Sequence, residues 1–277
     1  MMRDRLLTTL STTAVFALVL MLGSCVTVPR IALHGASDSP DCVVLLHGLN
    51  RSWRAMEPMA EALREGGFST ANVDYSSRAG TIAELVPLSV DSGLQSCRQR
   101  GATRIHFVTH SIGGILLRYA YDDNPIPDLG RVVMLGPPNQ GSEVVDIARN
   151  WPTARLFGGP AGLQLGTGED SVPAQLGPVE FDLGVIAGTG TTNPLFSAML
   201  PDADDGKVSV ARTRVAGMDD FLIVNKSHFF MMSNRQVIDN TMAFLRTGAF
   251  IDSERSVEQL TRRETRDTEA TKTTSLN

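Results

Sequence analysis

This sequence is poor in cysteine, in aromatic residues and in basic charge, and each shortage excludes a class of protein. Its 3 cysteines form no CxxC pair and no HExxH segment is present, so the sequence matches no zinc-site pattern. Aromatic residues make up 6% of the 277 residues and no repeat of fixed period occurs, which argues against a repeat array. The net charge of −5 offers no basic face for nucleic acid or for anionic lipid. The 42% of hydrophobic residues is enough for one globular domain with a full core.

Residues 1–24 resemble the signal peptide of a bacterial lipoprotein. A short basic-ended segment precedes a mostly apolar run over residues 6–23, and the run ends in LGSC at residues 22–25. This ending is similar to a lipobox, although Ser24 stands where Gly or Ala is commoner. The resemblance implies cleavage before Cys25, lipidation of its thiol, and export to a membrane-anchored position on the periplasmic face of the cell envelope. An uncleaved anchor and a plain signal peptide with an incidental cysteine are the alternatives; Thr and Ser in the run make it a weak membrane span.

Residues 41–250 alternate between short apolar runs and helical patterns. The continuous apolar run at 42–46 indicates a strand buried on both faces, as in a parallel sheet covered by helices. Further strand candidates lie at 69–73, 104–109, 131–135, 183–187 and 221–224. Helical spacing falls between and after them, at 56–63, 82–97, 112–121, 143–150 and 234–246, with a kink or turn expected at Pro87. This order predicts an α/β fold with a doubly wound, mostly parallel sheet of about six strands flanked by helices.

Three segments depart from this alternation. Residues 25–40 contain Pro, Gly and Ser and are predicted to be a linker, while 251–277 have few apolar residues and are predicted to be a disordered tail. Residues 151–179 are dense in Gly and Pro and are predicted to form a loop-rich insertion.

The run FVTHSIGG at 107–114 leads a predicted strand directly into Ser111 and opens a helix with two glycines. This layout is typical of a nucleophile elbow, in which a strained strand-to-helix turn exposes the serine. Thr109 stands where the usual G-x-S-x-G pattern has its first glycine, and a serine that merely caps the helix is the alternative. Of the five histidines, only His228 follows Ser111 in the chain, and it comes directly after a predicted strand.

Together these motifs resemble the lipase and esterase branch of the α/β-hydrolases, particularly bacterial lipase-like and GPI inositol-deacylase-like proteins. The matching runs are VLLHGL at 44–49, VTHSIGG at 108–114, LGPPNQGSE at 135–143, DGKV at 205–208 and SH at 227–228. The resemblance implies that Ser111 is the nucleophile and His228 the general base, while the backbone N–H groups of Leu49 and Ile112 form the oxyanion hole. It implies a structural role for His47 and none for His106 and His110 beyond their places in the strand and the elbow.

The resemblance also places the triad acid directly before a glycine, which favours Asp205, before Gly206, with Asp204 as the runner-up. Asp202 and Asp204 are expected to face water. The activity implied is hydrolysis of carboxylic esters, of small molecules or lipids, without a metal or cofactor. The insertion at 151–179 is then the best candidate for a lid, with Trp151, Leu156 and Phe157 facing an acyl chain, and a solvated loop is the alternative. An acyltransferase or amidase with the same triad remains an alternative, and so does a non-catalytic envelope lipoprotein that uses the fold for binding.

The two remaining cysteines, Cys42 and Cys97, are predicted to form a disulfide, because export would place them in an oxidising compartment. Cys42 begins the first predicted strand and Cys97 ends the helix before the elbow strand. Both are therefore expected at the sheet edge opposite the site. Two buried free thiols are the alternative.

Overall fold

Seven strands form one sheet in the computed structural model, which describes residues 30–34, 39–151, 154–192, 197–198, 200–201 and 203–251. The strands are β1 (Arg30–His34), β2 (Asp41–Leu46), β3 (Ser69–Asp74), β4 (Arg104–His110), β5 (Leu129–Leu135), β6 (Leu183–Gly188) and β7 (Asp220–Val224). They lie in the order β1-β3-β2-β4-β5-β6-β7. β1 pairs antiparallel with β3, and the other six strands are mutually parallel. The predicted mostly parallel sheet is confirmed.

The antiparallel strand β1 was not predicted, since it lies within the segment 25–40 that was expected to be a linker. Its backbone pairs along the outer edge of β3, with Arg30 opposite Asp74 and His34 opposite Thr70. A run of five residues in a segment with Pro, Gly and Ser is too short to give a clear strand pattern. The predicted signal peptide with Cys25, the tail from residue 252, and Asp202 lie outside the described residues.

Helices occur in every segment where the apolar spacing predicted them, and three more, Ala154–Leu163, Val172–Gln175 and Val210–Thr213, were not predicted. The helices are α1 (Glu57–Glu65), α2 (Ile82–Leu85), α3 (Ser92–Gln99), α4 (Ile112–Asp123), α5 (Glu143–Ala148), α6 (Ala154–Leu163), α7 (Val172–Gln175), α8 (Val210–Thr213) and α9 (Arg235–Thr247). A π-helical turn, Pro87–Asp91, separates α2 from α3. It interrupts the predicted helix at Pro87, because proline has no N–H to donate to the preceding turn. No helix among the described residues is long and apolar enough to cross a membrane.

Hydrophobic side chains cover both faces of the central strands. On one face Val44 and Phe107 pack with residues of α2, α3 and α4; on the other, Val43 and Val108 pack with residues of α1 and α9. A side chain as large as the fully buried Phe107 contributes about 1.5–3 kcal/mol by leaving water. Burial on both faces explains why these strands read as continuous apolar runs.

The parallel strands all end at one edge of the sheet, and the candidate residues follow those ends. At the opposite edge, Cys42 at the start of β2 is joined to Cys97 of α3 by a disulfide, with a Cα–Cα distance of 5.8 Å. The pairing and its location are those that the sequence predicted.

Candidate active site

Ser111 lies on a strained turn between β4 and α4. Its backbone has φ 55° and ψ −123°, a conformation that few residues other than glycine adopt. The Ser111 N–H donates to the carbonyl of Leu135 at 2.9 Å, so the turn continues the pairing of β4 with β5. Thr109, which replaces the usual first glycine, fits because Gly114 has no side chain: a Cβ there would lie 3.3 Å from the Thr109 hydroxyl. The departure from the G-x-S-x-G pattern therefore leaves the turn intact.

Asp205 and His228 are both buried, and their side chains lie within ion-pair distance of each other. The Asp205 Oδ2 atom accepts from the Nδ1 atom of His228 at 2.7 Å, and the two residues are 1% and 6% exposed. The other oxygen, Oδ1, accepts the N–H groups of Lys207 at 3.0 Å and Val208 at 2.9 Å. Because the carboxylate accepts at Nδ1, that nitrogen carries the imidazole proton and Nε2 is left with a free lone pair.

Asp204 does not face water as the sequence analysis expected, which is a correction. It is 5% exposed, and its carboxylate accepts the N–H of Gly206 at 2.7 Å and the hydroxyl of Ser197. Asp204 therefore fixes the loop that presents Asp205, and its oxygens are engaged away from His228. Asp220, at the amino end of β7, accepts the N–H of Phe250 at 2.8 Å, far from the carboxyl edge of the sheet.

The two predicted oxyanion donors belong to the β2 loop and to the first residue of α4, which both adjoin Ser111. Leu49 follows β2 and Ile112 begins α4, and neither backbone N–H donates a hydrogen bond to another of the described residues. Gly48 brings the β2 loop against the elbow: a Cβ at Gly48 would lie 2.5 Å from the His110 ring and 3.2 Å from Ser111 Cβ. The amino terminus of α4 adds positive potential at this point. The arrangement can stabilise a developing oxyanion.

Two other histidines border the site. His47 stacks on Tyr75 with ring centroids 4.1 Å apart, and burial lowers its pKa, as suits the structural role that the sequence implied. His110 donates its Nε2–H to the main-chain carbonyl of His228 at 2.9 Å, and the two rings lie 4.6 Å apart. The sequence analysis gave His110 no such role. No local signal marks it, because its partner lies 118 residues away.

The space beside the Asp205–His228 pair is kept open by Gly136, which follows β5. Gly136 has φ 53°, and a Cβ there would lie 2.8 Å from Asp205 Oδ2 and 3.1 Å from His228 Nδ1. This gives a physical reason for the LGPPNQGSE run that the sequence analysis matched without a role. Across the site, Arg51 donates to the carbonyl of Phe229 at 3.1 Å and so ties the β2 loop to the histidine loop.

The segment predicted to be a loop-rich insertion, 151–179, contains α6 and α7. Leu165 and Val172 within it are buried, so this segment packs onto the domain. A Cβ at Gly162 of α6 would lie 3.0 Å from the Leu49 side chain, which places α6 beside the oxyanion loop. Trp151 is exposed, and the side chains of Leu156 and Phe157 lie outside the described part of the chain. Among the described residues no group of three or more His, Cys, Asp or Glu could hold a metal ion.

This fold, with a strained serine beside a buried carboxylate–imidazole pair, defines a hydrolase of the α/β type. Residues 43–240 match the model of the alpha/beta hydrolase family, and the chain belongs to that family. A comparison with curated proteins finds no match.

Solved structures share the fold at low sequence identity. The mature form of lipase BlEst2 from Bacillus licheniformis has a TM-score of 0.62 and 21% identity, over 80% of this chain and 98% of that one. The monoacylglycerol lipase of Paleococcus ferrophilus has a TM-score of 0.53 and 16% identity, over 80% and 99%. Phospholipase PlaB from Legionella pneumophila has a TM-score of 0.56 and 18% identity, over 75% of this chain but 57% of that one.

Proposed function

We propose that this protein is a serine esterase or lipase that hydrolyses carboxylic esters through an acyl-enzyme on Ser111. The observation that carries the proposal is the buried Asp205–His228 pair, 2.7 Å apart, beside a serine at positive φ. The backbone N–H groups of Leu49 and Ile112 add to it, because neither donates to another residue that the structure describes. The similar folds of a lipase and a monoacylglycerol lipase support an ester as the substrate.

In the proposed reaction, His228 Nε2 accepts the Ser111 proton while Oγ bonds to the ester carbonyl carbon. The carbonyl electron pair moves onto oxygen, where the N–H groups of Leu49 and Ile112 hold it. Collapse of this intermediate breaks the bond to the alcohol oxygen, which leaves with the proton from His228. Water then gives a proton to His228 and attacks the acyl carbon. Collapse of this second intermediate breaks the bond to Ser111 Oγ, which takes the proton back from His228, and the acid is released. These steps call for no metal or cofactor.

The carboxylate of Asp205 stabilises the imidazolium that forms on His228 and holds the ring in the tautomer that accepts at Nε2. The Ser111 hydroxyl makes no hydrogen bond to another described residue in the unliganded protein. Such contacts commonly tighten only when substrate binds. Ser111 lies at the carboxyl edge of the sheet, where it is 9% exposed.

We further propose that the acyl chain lies along α6 and the exposed Trp151, and that Cys25 carries a lipid anchor in the cell envelope. The contact of α6 with the oxyanion residue Leu49 supports the first of these. The lipobox-like LGSC run supports the second, and it would bring the site close to lipid esters.

The proposal is tested with the full chain, purified in detergent, beside Ser111→Ala. A panel of p-nitrophenyl esters of rising chain length, the matching amides, and an added acceptor alcohol would separate esterase, amidase and acyltransferase activity. We expect ester hydrolysis and labelling by a fluorophosphonate probe in the wild type and neither in Ser111→Ala. A wild-type chain that neither turns over esters nor takes up the probe would instead support a non-catalytic binding protein.

A further inference from the structure

The imidazole of His110 joins the nucleophile elbow to the histidine loop. His110 is the last residue of β4 and directly precedes Ser111, so the sheet and the strained turn both fix it. Its side chain is 1% exposed, and its Nε2 atom lies 2.9 Å from the carbonyl oxygen of His228. Since a carbonyl oxygen only accepts, Nε2 must carry the proton of this bond.

The chemistry of the His110 ring suits a fixed donor and not a base. Burial holds the pKa of His110 well below its usual value, and the charge interaction with His228 lowers this pKa further. The ring is therefore neutral. With the proton on Nε2, the Nδ1 atom is unprotonated, and among the described residues it has no hydrogen-bond partner. Gly48 crowds that side of the ring, because a Cβ there would lie 2.5 Å from Nδ1. Among the described residues, the His110 ring therefore makes its hydrogen bond through Nε2–H alone.

His228 is held at every polar group except the reactive Nε2. Its N–H donates to the carbonyl of Asp205 at 2.9 Å and its Nδ1 donates to the Asp205 carboxylate at 2.7 Å. His110 holds its carbonyl, and Arg51 holds the next carbonyl, that of Phe229. Of these contacts, the one from His110 comes from the residue bonded to Ser111. It links the main chain next to Ser111 directly to the main chain of His228.

We propose that His110 is a positioning residue, which sets the place of His228 relative to Ser111 through its hydrogen bond to the His228 carbonyl. The inference rests on the proposed serine-hydrolase function and adds a residue that the family motif leaves variable. Since a misplacement of about 1 Å costs on the order of 100-fold in rate, loss of this bond acts on turnover more than on substrate binding.

Three substitutions of His110 distinguish the effect of its hydrogen bond from the effect of its side-chain volume. In His110→Gln the amide nitrogen lies as many bonds from Cα as Nε2 does, so the donor is kept. In His110→Asn the amide nitrogen corresponds to Nδ1, which has no partner, and His110→Phe keeps the bulk without any donor. His106 offers a matched control, because it lies on the same face of β4, is 1% exposed, and binds the N–H of Arg131 away from the site.

The experiment measures kcat and KM on a soluble ester, the rate of fluorophosphonate labelling, and the thermal midpoint, all with the full chain. We expect His110→Asn and His110→Phe to lower kcat per labelled site by about 10- to 100-fold with little change in KM. His110→Gln should stay within about threefold of the wild type. His106→Gln and His106→Phe should lower the thermal midpoint without changing kcat per labelled site.

The outcomes distinguish this inference from the proposed function. Equal kcat per labelled site for His110→Phe and His110→Gln would overturn the positioning role alone. A loss of activity no larger than the loss of folded protein would overturn it as well. Wild-type protein without Ser111-dependent turnover would overturn the proposed function, and the positioning role with it.

Discussion

The substitution Asp205→Asn tests the triad most sharply, because the surroundings of Asp205 fix how the new amide must lie. Asp205 Oδ1 accepts two backbone N–H groups, from Lys207 at 3.0 Å and Val208 at 2.9 Å. The amide oxygen keeps both bonds only if the NH2 group points at His228. A flipped amide would leave both N–H groups without an acceptor, at about 1–3 kcal/mol for the buried N–H of Val208 and less for the partly buried N–H of Lys207.

In the favoured orientation the NH2 group donates to His228 Nδ1, which must then accept, and the imidazole proton moves to Nε2. A protonated Nε2 cannot take the Ser111 proton, and no carboxylate remains to stabilise the imidazolium. Loss of the same contact in serine proteases lowers kcat by about 10⁴-fold, equivalent to about 5 kcal/mol. We expect a fall of about 10³- to 10⁴-fold here, with the protein still folded.

The neighbouring Asp204 provides the matched control. In Asp204→Asn the amide oxygen still accepts from Gly206, and the NH2 group donates to the Ser197 hydroxyl, which is able to accept. Its kcat should therefore stay within about threefold of the wild type. The measurement is kcat on a p-nitrophenyl ester with thermal midpoints taken in parallel. If Asp205→Asn keeps its turnover while Asp204→Asn loses it, the assignment of the acid is wrong by one residue.

Three further predictions concern stability and location. Reduction of the Cys42–Cys97 bond should lower the free energy of unfolding by about 4 kcal/mol and leave kcat of the folded protein unchanged, because the bond lies at the opposite edge of the sheet. Alkylation of the unreduced protein followed by mass spectrometry checks the bond, and two alkylated thiols would refute it. His106, whose pKa burial lowers from 6.5 to about 4, is protonated more readily in the unfolded chain, so stability should fall by about 3 kcal/mol as the pH drops through that range. Urea unfolding at several pH values should show this loss in the wild type and less of it in His106→Gln. Finally, a fatty-acid analogue should label the wild type and not Cys25→Ala; equal labelling of both would rule out lipidation at that cysteine.

The strands and helices were predictable because burial on one or both faces imposes a period on the sequence. Residues 42–46 and 104–109 read as strands because helices cover both sides of β2 and β4. The edge strand β1 was not predicted because it is five residues long and lies in a segment with the composition of a linker. Pro87 was expected to mark a kink, and the structure places a π-helical turn there.

The order of Ser111, Asp205 and His228 along the chain pointed to the site, and the structure brings Asp205 and His228 into contact beside the Ser111 turn. The residues that sequence analysis missed act over long chain separations. His110 reaches His228 across 118 residues and Arg51 reaches Phe229 across 178, and no periodic pattern records such contacts. The expectation that Asp204 faces water was wrong because neighbouring N–H and hydroxyl groups bury it, which composition cannot show.

The glycines around the site bear on how this protein tolerates mutation. Added methyl groups at Gly48 and Gly136 would meet the His110 ring and the Asp205–His228 pair within 2.8 Å, so alanine is excluded there although neither glycine takes part in the chemistry. In a library of all single substitutions, Gly48 and Gly136 should tolerate as few replacements as His110, Asp205 and His228, which they contact. Substitutions on the exposed surface of the insertion, at Trp151 for example, should be tolerated for folding. Residues 151–179 can therefore change in sequence more freely than these two glycines, whose lack of a side chain fixes the packing around His110, Asp205 and His228.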